Sequence, residues 1–406
     1  MPDLPITRAF VEALPKTDLH VHLDGSLRIP TLIELAREQR VELPSYTDGG
    51  LRETVYTDRY KSLADYLKGF RYTVAVMQSA ESLERIAAEL AEDNQAEGVR
   101  YLEVRFAPQL HVRPGLDAVA VIAAVDRGLR RARDAWNRRA DIAAGREPPF
   151  EYGIICCALR MFTAEFSRYY DTLFAAHPYT RPKNLFALAS IDLARAAVLA
   201  RDSLGLQVVG FDLAGEEAGY PAGAHKAAFE YAHKHFLKRT VHAGEAYGPE
   251  SIFQAITDLH ADRIGHGTYL LEPDQIQDPD IADRDHYVDM LGNYIADRRI
   301  TLEVCLTSNL QTNPDLKFLD DHTFRKLRAK RLSTTLCTDN RLMSNTSVTN
   351  ELMLAVKHLG LDRHDLKSIV IYGFKRSFYP GSYQTKRQYV RQVIDYYETV
   401  ERKFGA

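Results

Sequence analysis

The chain is poor in cysteine: four residues, Cys156, Cys157, Cys305 and Cys337, among 406. No two form a C-x-x-C pair, and all four lie in apolar runs. They read as buried free thiols in a reducing compartment, not as a disulfide framework. There is no excess of positive charge either. Lys and Arg number 52 against 55 Asp and Glu, a net charge of −3. Nothing in that balance draws the chain to nucleic acid or an anionic bilayer. No apolar run reaches the length of a bilayer span. The start, "MPDLPITRAFVEALP", lacks the basic and apolar segments of a signal peptide, so a cytoplasmic location is expected. Fixed-period repeats, low-complexity tracts and Pro/Gly/Ser-rich linkers are also missing. Residues 1–406 are therefore expected to form a single domain.

What the chain does contain is alternation. Eight short apolar runs fall at 18–23, 99–110, 152–160, 205–215, 239–245, 263–267, 301–309 and 332–339. Several are almost continuously apolar, as in parallel strands covered on both faces. Amphipathic stretches separate them. Residues 79–98 carry Leu83, Ile86, Ala87 and Leu90 at helical spacing, with Ser79 as N-cap and Gly98 as stop. Residues 116–139 form another such stretch. The arginines from Arg127 to Arg139 alternate with apolar residues and read as a solvated outer face. Eight strands alternating with helices predict an α/β fold, a (β/α)8 TIM barrel. An open doubly wound sheet is the runner-up, weakened because no glycine-rich phosphate loop follows an early strand. Residues 24–78 are too long for one loop and are expected to hold helices over the barrel mouth. Residues 133–150 and 161–190 read as insertions.

A barrel collects its catalytic groups at the C-terminal ends of its strands. Polar residues fall there repeatedly: His20 and His22 on the first strand, Asp212 and Gly215 on the fourth, His242 and Glu245 on the fifth. His266 follows on the sixth, Ser308 and Asn309 on the seventh, Asp339 and Asn340 on the eighth. In "KTDLHVHLDGSLR", alternation turns His20 and His22 to the same side. His242 and Asp339 can complete a metal site with them. Three nitrogens and one oxygen suit a borderline cation, with one zinc ion per chain expected, although iron and cobalt fit similar ligands. The other polar residues also have plain readings. Glu245 can favour a helix start, His266 and Gly215 can serve turns, and Asp24 can cap the segment after it.

The motifs "TDLHVHLDGSLR", "YLEVRFAP", "DLAGEE", "VHAGE", "RIGHG", "LEVCLTSNLQT" and "CTDN", in this order, resemble the adenosine deaminase family of metal-dependent hydrolases. The resemblance runs from residue 17 to about 340, and "FKRSFYPGSYQTKRQYV" extends it. It implies a zinc enzyme that deaminates adenosine and 2′-deoxyadenosine in purine salvage. It implies zinc ligation by His20, His22, His242 and Asp339. It implies that Glu245 protonates purine N1 and that His266 orients or deprotonates the attacking water, with Asp339 beside it. Substrate contacts are implied for His22, for Asp24 on the ribose hydroxyls, and for Gly215 on purine N3.

One position departs from the pattern. Better-known members carry two adjacent aspartates where this chain has Asp339–Asn340, and the second contacts purine N7. N7 accepts, so its partner must donate, and Asn340 carries an amide donor at any pH. Two other readings stand beside adenosine deamination: action on a 5′-modified aminopurine nucleoside such as aminodeoxyfutalosine, and a catalytically inactive nucleoside binder. In each, the partner is a small molecule, not a nucleic acid or a membrane.

Overall fold

A computed structural model describes residues 5–405. Eight strands follow one another around a single sheet: β1 (Lys16–His22), β2 (Val99–Phe106), β3 (Glu151–Leu159), β4 (Val208–Ala214), β5 (Lys238–Ala243), β6 (Arg263–His266), β7 (Thr301–Val304) and β8 (Thr334–Leu336). Every neighbouring pair is parallel. The chain just beyond β8 bridges back to β1, where Asp339 N–H donates to His20 C=O at 2.8 Å. The architecture is the (β/α)8 barrel.

Helices form the outer layer. Helix Ala80–Ala96 starts where the Ser79 side chain accepts from Ser82 N–H at 3.1 Å. It buries Leu83, Ile86, Ala87 and Leu90 and packs against helix Ala118–Asn137. Each large aliphatic side chain removed from water there contributes about 1.5–3 kcal/mol. Residues 133–137 finish this second helix, so the expected insertion at 133–150 is shorter than the sequence suggested. Residues 161–190 hold helix Arg168–Ala176 and the start of helix Pro182–Leu204.

Residues 24–78 fold into four helices, Ile29–Gln39, Asp48–Thr54, Leu63–Leu67 and Phe70–Val76. These helices and the turns between them dock on the segments after β7 and β8. Tyr60 N–H donates to Gln311 C=O at 3.3 Å, Arg59 reaches Lys317 C=O at 2.6 Å, and Tyr66 Oη lies 3.1 Å from Ser344 Oγ.

Two strand ends differ from the sequence reading. β7 stops at Val304, and Ser308 and Asn309 lie on helix Leu306–Thr312. β8 spans only Thr334–Leu336, so Asp339 and Asn340 stand in the loop beyond it. The local cause is backbone conformation: Asp339 has a φ of +60°, incompatible with a strand.

The lumen is polar, unlike the branched aliphatic layers common in such barrels. Arg105 donates to Asp212 at 3.0 Å and to Glu303 at 2.8 Å. Arg263 donates to Glu303 at 2.6 Å, pairs with Glu103, and lies 3.6 Å from the Phe378 ring centre. All five charged groups are buried. Among the described residues, no helix is long and apolar enough to cross a membrane.

Candidate active site

β1, β5 and the β8 loop bring His20, His22, His242 and Asp339 together, with one ligand atom of each within 4.8 Å of the others. His22 Nε2 and His242 Nε2 are 3.1 Å apart, and Asp339 Oδ1 lies 3.5 Å from Nε2 of both His20 and His22. Two tetrahedral zinc–nitrogen bonds separate their nitrogens by about 3.4 Å, so these spacings fit. The outer partners fit as well. His20 Nδ1 is held by Glu303 at 2.9 Å and His242 Nδ1 by Asp212 at 3.0 Å. Each contact places the proton on Nδ1 and turns a bare Nε2 inward. His20 Nε2 is buried without a hydrogen-bond partner. A buried orphan acceptor among imidazoles and a carboxylate is what a divalent cation satisfies.

Electrostatics favour the same use. Burial holds the His22 and His242 pKa values below normal, which keeps these rings neutral. His20 runs the other way. Burial and Arg105 push it down, but Asp339 and Glu303 outweigh them and raise it. For Asp339, burial alone would raise the pKa. The nearby His20 and the other surrounding imidazoles reverse this, leaving the carboxylate well below its usual range. Ser308 Oγ donates to its Oδ2 at 2.6 Å.

Glu245 follows β5, and its side chain keeps 9 % of its surface exposed. Burial, then the charges of Asp339 and Glu217, raise its pKa well above the usual carboxylate range, which favours the protonated form. Its Oε2 is 3.5 Å from His266 Nε2.

The whole site sits inside a match to the family model described as adenosine deaminase, which covers residues 15–396. The chain belongs to the adenosine deaminase family. It is a hydrolytic deaminase acting on a carbon–nitrogen bond. Adenosine deaminase from Mycolicibacterium vanbaalenii is 37 % identical over 376 residues, 92 % of this chain and 93 % of that one. Adenosine deaminase 1 from Streptomyces coelicolor is 37 % identical over 377 residues, 91 % and 84 % of the two chains. Among solved structures, the Arabidopsis N6-mAMP deaminase superposes with a TM-score of 0.72 at 27 % identity, covering 95 % of this chain and 99 % of that one.

The residues expected to face substrate surround this centre unevenly. Asp24 is buried, its Oδ1 lies 3.9 Å from His22 Nδ1, and that oxygen has no hydrogen-bond partner. Burial raises its pKa to about 7. Gly215 lies one residue beyond β4, with a φ of +93°. A Cβ there would meet nothing closer than 3.8 Å, so the backbone conformation, not crowding, requires glycine. Asn340 is buried, and its carboxamide lies where a Cβ on Gly25 would be. That overlap explains the glycine after Asp24.

Two partners escaped the sequence reading. Glu217 accepts from Gly244 N–H at 2.9 Å, Glu245 N–H at 3.0 Å, Ala246 N–H at 2.7 Å and Ser251 Oγ at 2.5 Å. One carboxylate thus holds the whole loop that carries Glu245. Its only signal was the second glutamate of "DLAGEE". His322, joined to His266 through Asn309, had no local signal.

Proposed function

We propose that this enzyme uses one zinc ion to deaminate adenosine and 2′-deoxyadenosine hydrolytically, giving inosine and 2′-deoxyinosine with release of ammonia. The observation that carries the reading is the four-donor cluster of His20, His22, His242 and Asp339 with the largely buried Glu245 carboxyl beside it, 3.5 Å from His266. Relatives named adenosine deaminase across nine-tenths of the chain support the same substrate.

His20, His22, His242 and Asp339 would hold the ion. When bound, zinc supplies a strong nucleophile from water at neutral pH. Attack at C6 breaks the purine's aromaticity and drives charge onto N1. Glu245 holds a proton for that atom, and transfer of it neutralises the charge as it develops. Glu217 fixes the loop so that the proton sits in one place. Asp24 offers an unpartnered buried oxygen to a ribose hydroxyl, which can donate to it. Asn340 offers an amide N–H to N7. The proton given up by the attacking water passes to the amine, which leaves carbon as ammonia.

A second reading has one specific support, the likeness to an N6-mAMP deaminase. A 5′-phosphate would bring a dianion toward the sugar end, where Asp24 stands, and this favours the free nucleoside. The test is a side-by-side assay following loss of aminopurine absorbance with adenosine, 2′-deoxyadenosine, adenine, AMP, N6-methyl-AMP and a 5′-modified adenosine. Turnover concentrated on the first two supports the proposal. Turnover concentrated on a nucleotide or a 5′-modified substrate moves the substrate and leaves the chemistry in place.

A further inference from the structure

We infer that Asn309 and His322 are positioning residues that lock His266 as a neutral Nε2–H donor, with that N–H turned to the side of the site where Glu245 stands. The inference rests on the deaminase reading for its consequence, but its starting point is a backbone amide.

Phe324 N–H donates to His322 Nδ1 at 3.0 Å. A peptide N–H has no acceptor form, so His322 Nδ1 must accept. His322 is buried, and burial alone pushes its pKa down to about 4. It is therefore neutral, and its single proton sits on Nε2. That nitrogen lies 3.3 Å from Asn309 Oδ1. Asn309 then presents its carbonyl to His322 and its NH2 to the other side. Asn309 Nδ2 lies 3.1 Å from His266 Nδ1. The amide can only donate there, so His266 Nδ1 accepts. The proton of a neutral His266 is left on Nε2, the nitrogen facing Glu245.

Every step has one direction, and the direction is set outside the site. A protonated His266 would set its Nδ1–H against the Asn309 NH2, donor to donor, with water excluded from a fully buried contact. Packing alone would not require three polar groups in series. His266 also holds a φ of +64°, rare for a side-chain-bearing residue. Strain of this kind persists where surrounding contacts over-determine a residue's position. Of the two roles implied for His266, a fixed Nε2–H donor suits orientation.

The direct test is nitrogen-15 NMR of the zinc-loaded, histidine-labelled enzyme at neutral pH, with His266 assigned by difference from His266→Gln. The expected spectrum shows Nε2–H tautomers for both His266 and His322. A His266 carrying its proton on Nδ1, or on both nitrogens, overturns the inference. In the kinetic arm, Asn309→Asp replaces the donor by a pure acceptor and draws the His266 proton to Nδ1. It should lower kcat by on the order of 100-fold or more, as a wrong imidazole tautomer does elsewhere, with KM for adenosine within about threefold. An unchanged kcat with the tautomer moved also overturns it. His322→Gln keeps a donor for Asn309 and should lose less activity than His322→Leu. The His322 pair and the wild-type spectrum decide the matter if Asn309→Asp does not fold. Should the wild type turn over no adenosine, the substrate reading fails while the spectrum still decides the tautomer.

Discussion

His22 N–H donates to Asp339 C=O at 2.7 Å, so the last seam of the barrel joins two residues of the metal cluster. Asp339 N–H returns a bond to His20. Closure of the fold and assembly of the site use the same backbone. Removing the ion should therefore loosen this seam as well as stop turnover. A ligand at a thousandfold excess over its Kd stabilises the folded state by about 4 kcal/mol. Chelation should lower the thermal midpoint, with faster amide exchange concentrated at 20–22 and 337–339. Uniform exchange around the barrel would separate metal binding from closure.

Glu245→Gln removes the transferable proton and keeps the shape. It should cost about 10²–10⁴-fold in kcat while nucleoside binding, read by calorimetry, stays within a few-fold. A variant as fast as wild type would remove Glu245 from the mechanism.

The pH dependence follows from the same group. The Glu245 pKa is raised, so the protonated form the proposed mechanism needs persists to higher pH than in a free glutamate and is lost as pH rises through the folded value. That loss should appear as an alkaline limb in kcat. Glu217 contributes negative charge beside Glu245, and removing negative charge makes a carboxyl more acidic. Glu217→Gln should therefore move the limb to lower pH. It should also destabilise, since the new NH2 faces backbone N–H groups and leaves buried donors unpaired at about 1–3 kcal/mol each.

Asn340→Asp tests purine recognition. The carboxyl would lie beside Asp339, and a neighbouring negative charge raises its pKa. Only its protonated form can donate to N7. KM for adenosine should rise with pH in the variant and stay flat in the wild type over the same range. A flat KM in both would show that Asn340 does not contact an acceptor on the base.

Arg105 balances two buried carboxylates, Asp212 and Glu303, which in turn hold His242 and His20. Arg105→Gln should destabilise by about 3–5 kcal/mol, the usual effect of stranding buried charge. It should also weaken metal retention in a chelator competition. Stability within 1 kcal/mol of wild type would mean the lumen rearranges.

The barrel was legible because eight apolar runs alternate with amphipathic ones, and that period survives without any knowledge of contacts. His20 and His22 stood out because strand alternation alone places them on one side. The polar lumen was less visible. Glu103, Arg105, Arg263 and Glu303 sit singly inside apolar strands, and each becomes meaningful only beside a partner at least 40 residues away. Asn309 looked like a strand end, but Leu306–Thr312 is helical, and apolar runs this short do not separate the two states. Glu217 acts through partners 27 to 34 positions away and His322 through Asn309, 13 positions away, so no short motif joins either of them to its partners.

The most direct measurement is ammonia release from adenosine by the zinc-loaded enzyme, then by the same sample stripped with a chelator, then after zinc is returned. The account predicts stoichiometric inosine and ammonia, loss of both on stripping, and recovery on readdition. Undiminished ammonia release by fully stripped enzyme, or none from adenosine with zinc bound, would contradict it.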